Sequence, residues 1–311
     1  MPIFAAFYAT ALMLRVPVST LWISAVLLLV SLVPGAMYVS VINDVTDLAD
    51  DLAAGKPNQV AGRSRVLVAL LISIAVAAGV VISFLWRHDR LLVSCYLAAW
   101  TAFSLYSLPP FRFKTRGILG VLADASGAHL FPTLVAVVLA CRGAGKPVPM
   151  MWLAAVGVWA FAYGLRGILW HQLTDRDNDR SAAVRTFAER HRPEVAERLG
   201  TFVAFPLELA ALSFMLWQTW SVWPVAFLAA YAVLVILRVV RWGMSVVIVR
   251  PKPRFLIVLH EYYDTFLPVA LLIASRDFIV LAVHLVMFHA RGRQTLRDMA
   301  QLWRERRQTS P

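Results

Sequence analysis

Two short stretches of the chain concentrate groups able to do chemistry. The first is Asn43-Asp44-Val45-Thr46-Asp47-Leu48-Ala49-Asp50-Asp51 and the second is Asp175-Arg176-Asp177-Asn178-Asp179. Each closes a long apolar run, and carboxylates at a membrane boundary are costly without a partner. Read as helix, Asp44, Asp47 and Asp51 stand at i, i+3 and i+7 on one face, with Asn43 one turn before Asp47. In the second stretch His171, Asp175 and Asp179 form one stripe, while Asp177 points elsewhere. Acids at the C-terminal end of a helix oppose its dipole, so a simple solvated terminus explains them poorly. Like charges at this spacing repel unless a cation sits among them, and Mg²⁺ is held by one or two carboxylates together with substrate phosphates. The two stretches are therefore expected to share one ligand, a metal-bound polyphosphate.

Basic residues follow both stretches. Lys56 and Arg63 come after the first, Arg185 after the second, and Tyr106, Arg112, Lys114 and Arg116 lie in Tyr-Ser-Leu-Pro-Pro-Phe-Arg-Phe-Lys-Thr-Arg. Arg and Lys bind diphosphate oxygens beside a metal. His171 lies deeper than the acids and either orients a carboxylate, faces an acceptor, or is a packed histidine. His260, Glu261 and Asp264 are ionisable groups in an apolar segment, hence candidates for acceptor binding or proton removal, with an internal ion pair as the competing explanation. His129, in Asp124-Ala125-Ser126-Gly127-Ala128-His129, reads as a helix-packing site because small residues surround it.

The elements that must carry these residues are membrane helices. Of 311 residues, 60% are hydrophobic and only 15% charged, against roughly 45–50% and about 25% in soluble domains. An all-α polytopic membrane protein is expected, one domain with room for roughly nine spans of about 20 residues. Convincing spans fall at 18–42, 66–86, 91–108, 117–141, 150–172, 198–217 and 221–240; residues 2–14 are short for a span, and 255–290 is one long helix or two short ones around Ser275-Arg276-Asp277. The net charge of +12 sits in loops and in a basic tail, 291–311, which reads as orientation and anionic-lipid contact rather than nucleic-acid binding. By the positive-inside rule both acidic stretches face the cytoplasm, and a bacterial inner membrane is the expected location. Cys95 and Cys141 read as buried small hydrophobes.

These residues resemble the UbiA superfamily of intramembrane prenyltransferases. Asn43, Asp44, Asp47 and Asp51 match its Asn-Asp-x-x-Asp-x-x-x-Asp signature, and Asp175 and Asp179 its Asp-x-x-x-Asp stretch. The segment from Tyr106 to Arg116 is similar to the Tyr-Ser-x-Pro-Pro-x-Arg-x-Lys loop of some members, Lys56 and Asn58 to a Gly-Lys-x-Asn turn, and Arg185 stands where many members have Lys. The resemblance implies about nine transmembrane helices around a central cavity with a cytoplasmic cap formed by the motif loops, and two Mg²⁺ ions on the diphosphate of an isoprenyl donor. Metal ligands would be Asn43, Asp44, Asp47, Asp51, Asp175 and Asp179, the five aspartates among them being catalytic. Diphosphate contacts would come from Lys56, Arg63, Tyr106, Arg112, Lys114 and Arg185, and acceptor contacts from His171, His260, Glu261 and Asp264. The implied reaction is prenyl transfer to an aromatic or other lipophilic acceptor. A terpene cyclase, or a phosphoribosyltransferase acting on a polyprenyl phosphate, are the alternatives the same site allows.

Overall fold

A computed structural model describes residues 2–53, 55–181 and 184–308. It is helical throughout apart from one two-stranded parallel sheet, in which β1 (Ser245–Val247) pairs with β2 (Phe255–Ile257) in the register Ser245 to Phe255. Among the described residues, six segments are long and apolar enough to cross a membrane: Val18–Ala53, Arg65–Leu85, Ile118–Gly143, Met150–Thr174, Pro193–Gln218 and Trp223–Trp242. Helix Arg90–Ser107 and three shorter apolar helices complete the bundle. The all-α polytopic architecture expected from composition is the one observed.

In chain order, α1 (Pro2–Met13) is a buried helix whose alanines let it approach its neighbours closely. It is pinned by a hydrogen bond from Trp152 Nε1 to Thr10 Oγ1, 2.9 Å. Helix α2 (Trp22–Ala53) has 32 residues, or roughly 48 Å at 1.5 Å each. A hydrocarbon core is only about 30 Å thick, so the helix continues past it and carries the first acidic stretch on its final turns. Helix α3 (Arg65–Leu85) starts at the Ser64 cap and shows its outer valines and leucines to lipid, and α4 (Arg90–Ser107) starts at the Asp89 cap.

The span Ile118–Gly143 is broken into α5 (Ile118–Asp124), a π-helical turn (Ala125–Leu130) and α6 (Phe131–Gly143). Helix α7 (Met150–Thr174), the most buried of the six spans, ends in the second acidic stretch. Three short helices follow, α8 (Arg176–Ser181), α9 (Phe187–Arg190) and α10 (Pro193–Leu199), then a π turn (Gly200–Ala204), α11 (Phe205–Gln218) and α12 (Trp223–Trp242). The region 255–290 is two short helices rather than one. A third π turn (Tyr262–Phe266) leads into α13 (Leu267–Ala274), Ser275–Asp277 break the chain, and α14 (Phe278–Met287) follows. The basic tail is α15 (His289–Gln308), with 309–311 outside the described residues.

Each π turn ends just before proline, at Phe131-Pro132, Phe205-Pro206 and Leu267-Pro268. Proline offers no N–H and its ring collides with the carbonyl four residues back, and a widened turn relieves both problems.

An ion pair inside the bundle fixes several of these elements together. Arg166 of α7 meets Glu208 of α11 with both guanidinium–carboxylate contacts, 2.8 and 2.9 Å, and neither side chain is more than 2% exposed. Tyr263 donates to the same carboxylate at 2.9 Å and Arg166 also reaches Ile248 O at 3.2 Å. Removing one partner of a buried pair strands the other. Glu208→Leu is expected to destabilise the protein by about 3–5 kcal/mol, and Arg166→Met added to it to recover most of that loss. Thermal unfolding of the two variants in detergent measures both effects.

Candidate active site

The ends of α2 and α7 face one another across a cavity of about 270 Å³. Asp47, Asp50 and Asp51 line it from α2, His171, Gln172 and Asp175 from α7 and its cap, and Asp179 from α8; Lys56, Tyr106, Lys114 and Thr186 complete the polar wall. The two acidic stretches, more than a hundred residues apart in sequence, are thus brought together as expected.

Local sequence explains how. Gly55, at φ 64°, takes the left-handed conformation that ends α2, so that Lys56 N–H reaches Asp51 O at 2.8 Å. Asn58 then folds back over the helix end, donating to Asp44 O and to Asp51 Oδ2, each at 2.8 Å. That hairpin aims Lys56 across the cavity, 3.8 Å from Asp175 and 3.7 Å from Asp179. One side chain from the first motif's loop therefore touches both carboxylates of the second.

The loop after α4 supplies the other cations. Arg112 Nη2 lies 3.1 Å from Asp47 and 2.7 Å from Asp50, and Lys114 Nζ pairs with Asp47 and bonds Thr46 Oγ1 at 3.0 Å. Burial pulls the Lys114 ammonium below its usual pKa, an effect opposed by the Asp47 carboxylate. Gly120 lets α5 pass against this loop, because a Cβ there would stand 2.7 Å from Phe113 O and 2.9 Å from Lys114 Cα. Asp179 is held by its backbone N–H to Asp175 O, 2.8 Å, and by the Thr186 hydroxyl, 3.1 Å. Burial raises its carboxyl pKa and the Thr186 bond lowers it.

Gln172 is 4% exposed; its Oε1 accepts from Ala188 N at 3.3 Å, and that bond fixes which end is the amide nitrogen. Nε2 is left buried without a hydrogen-bond partner, on the wall of this cavity. Such an orphaned donor is what an oxyanion ligand would satisfy. Among the described residues no three acidic, histidine or cysteine side chains converge at metal-ligand distance. Lys56 and Lys114 stand among the carboxylates instead. The donor set itself, hard carboxylate oxygens with basic groups around them, is the kind that suits Mg²⁺ and diphosphate together.

Other expected residues are placed differently. Asn43 and Asp44 lie one turn before the cavity wall, where Asn43 takes the Ser107 hydroxyl. Arg63 and Arg185 are exposed and away from the cavity lining, as is Asp177. Glu261 pairs with Arg238 and accepts from Thr295 of α15 at 2.5 Å, while Arg238 also holds Asp298 at 2.8 Å. This network ties α12 to α15, so Glu261 and Asp264 line a separate cavity beneath the tail. His260 lines that cavity and another one, whose walls include Asp124 and His129.

Asp50, Gln172 and Thr186 also line the acidic cavity, although spacing did not single them out. Asp50 falls off the face shared by Asp44, Asp47 and Asp51, but stands one turn after Asp47 and so meets the same arginine. Gln172 follows His171 directly, and nothing in its sequence context marks it. Beneath the acidic cavity, a second one of about 420 Å³ runs along α2 and α4, lined by apolar and aromatic side chains including Tyr38, Tyr96, Trp100 and Phe103.

Residues 1–247 match the UbiA prenyltransferase family. Two curated relatives are named lycopene elongase/hydratase. The one from Halobacterium salinarum is 32% identical over 158 residues, covering 50% of this chain and 54% of the relative. The one from Haloferax volcanii is 30% identical over 158 residues, covering 50% of this chain and 49% of the relative. The chain spans about half the length of the curated relatives it matches. No solved structure matches.

Proposed function

The chain belongs to the UbiA prenyltransferase family, and on that premise we propose that it transfers an isoprenyl group from an isoprenyl diphosphate to a lipophilic acceptor within the membrane, with Mg²⁺. The observation that carries the reading is Lys56, which spans the cavity from the first acidic motif to both carboxylates of the second. Asp47, Asp51, Asp175 and Asp179 would hold the metal, with Asp50 beside them and Asn43 and Asp44 supporting the turn below. Bound there, Mg²⁺ neutralises the diphosphate so that it can leave. Lys56, Arg112 and Lys114 exchange their carboxylate partners for phosphate oxygens and hold the departing anion; Tyr106 and Gln172 donate to it from the wall. The aromatic cavity along α2 and α4 takes the hydrocarbon chain and keeps water from the allylic cation, which ring faces stabilise.

The relatives' name favours a polyene acceptor over a phenol. The distribution of basic loops favours a cytoplasmic site in a bacterial inner membrane. The test uses membranes containing the full chain, Mg²⁺ or chelator, and isoprenyl diphosphates of several lengths with lycopene or a phenol. Mg²⁺-dependent diphosphate release with prenylated polyene is expected. Release without any acceptor would point to a cyclase, and activity only with phosphoribosyl diphosphate to transfer onto a polyprenyl phosphate.

Gln172→Glu keeps the oxygen that Ala188 N needs and replaces the orphaned donor with a charge facing the diphosphate. It should raise KM for the isoprenyl diphosphate by about tenfold or more with the fold intact. An unchanged KM would make Gln172 a spacer.

A further inference from the structure

The tail helix α15 takes no part in the acidic cavity, yet it carries three distinct faces. Thr295 and Asp298 fasten the first to the bundle. Thr295 donates to Glu261, and Asp298 holds Arg238 of α12 at 2.8 Å. Arg238 stands one turn before the end of the span Trp223–Trp242, so this fastening sits where hydrocarbon gives way to headgroups. The second face is apolar. Leu296, Met299 and Trp303 follow at i, i+3 and i+7, and each is at least half exposed. The third face is basic. Arg293, Arg297 and Arg304 fall along one line of the helix, all are exposed, and none makes an ion pair among the described residues. The acid in their midst, Asp298, is taken by Arg238 and by the Gln294 amide at 2.8 Å. Just before α15, the short helix α14 turns Ile279, Val283 and Val286 outward as an apolar wall.

We propose that this side of α15 is a docking surface for anionic phospholipid, with Leu296, Met299 and Trp303 entering the boundary of headgroups and acyl chains and Arg293, Arg297 and Arg304 binding lipid phosphates. Three large apolar side chains aligned on one side of a helix are a liability in water. At the edge of a bilayer they are buried in the interface, where an indole ring is also at home because it is apolar with one polar N–H. Charge selects the occupant. Arginines with no acid of their own suit a surface of phosphates, and the leaflet beside α14 is such a surface when its lipids are anionic. Docking leaves the Thr295 and Asp298 contacts in place, so α15 fastens the bundle to the leaflet.

The experiment labels the full chain with an environment-sensitive fluorophore at Met299→Cys or, two residues on and turned away from that face, at Gln301→Cys; the native Cys95 and Cys141 are buried. Each labelled chain is reconstituted in vesicles of phosphatidylcholine, alone or mixed with phosphatidylglycerol, with a nitroxide lipid as quencher. In the anionic vesicles the label at 299 is expected to emit to the blue of the label at 301 and to be quenched at least about twofold more strongly. High salt, or Arg293→Gln, Arg297→Gln and Arg304→Gln together, should remove most of the difference between anionic and neutral vesicles. The triple variant alters none of the contacts to Glu261 and Arg238, so its fold should persist. A label at 299 as wet as the one at 301 overturns the proposal. So does shielding that is equal in neutral and anionic vesicles, since the arginines would then bind no lipid. Shielding that grows with the number of chains per vesicle would make the face a contact between copies and overturns it as well.

Discussion

Asp175→Asn is expected to lower turnover by about 10³-fold, some 4 kcal/mol of transition-state stabilisation, with thermal unfolding unchanged. The carboxylate sits at the cap of α7, where its backbone N–H bonds His171 O at 3.0 Å whatever the side chain is. Its partner Lys56 lies at 3.8 Å and keeps Asp179 at 3.7 Å after the change. Little native structure therefore depends on the charge. On the proposed reading the chemistry depends on it heavily, because a diphosphate would leave only when its charge is balanced and asparagine is a far weaker ligand for Mg²⁺. Diphosphate release in membranes, beside the unfolding temperature in detergent, separates the two effects. Turnover within about tenfold of the native chain would remove Asp175 from the proposed metal site. Loss of folding would show it to be structural.

The spans were legible because apolar length in a membrane is set by bilayer thickness, a strong constraint. Five expected spans, from 66–86 to 221–240 without 198–217, begin and end within two residues of the observed helices. The first differs more: α2 continues helically through Asn43–Asp51 to Ala53, since nothing in that stretch breaks it before Gly55. The span expected at 198–217 gains a helical lead-in at Pro193 and passes through a π turn. Those turns left their trace in the sequence as an apolar residue followed by proline within a span, a pattern that periodicity alone reads as continuous helix. Asp124 and His129 were seen, but their meeting was not, because five residues of α-helix would put them on different faces. Gln172 and Thr186 become visible only when α9 packs on α7 and leaves one polar end unmatched. Glu261 shows the reverse. Its intramembrane charge suggested chemistry, yet its contacts to Arg238 and Thr295 depend on where the tail helix lands, which local sequence does not state.

A double-mutant cycle between Asp51→Asn and Asp179→Asn tests whether the two motifs grip one anion. Asparagine at 51 keeps an oxygen for the Asn58 amide, now 2.8 Å from the carboxylate, and asparagine at 179 keeps one for the Thr186 hydroxyl, now at 3.1 Å. Both folds should therefore persist. Each single change is expected to cost about 10³-fold in turnover. If the carboxylates serve separate ligands the losses multiply, toward about 10⁶-fold. If they close on the same metal-bound diphosphate, the first loss already abolishes the clamp, and the double variant should fall no more than about tenfold below the weaker single one. The physical basis is Lys56. Its backbone is anchored on Asp51 O at 2.8 Å and its ammonium lies 3.7 Å from Asp179, so the motifs are joined by one residue before any ligand arrives. Multiplying losses would mean that this bridge is only a structural tie and that the two acidic loops act apart.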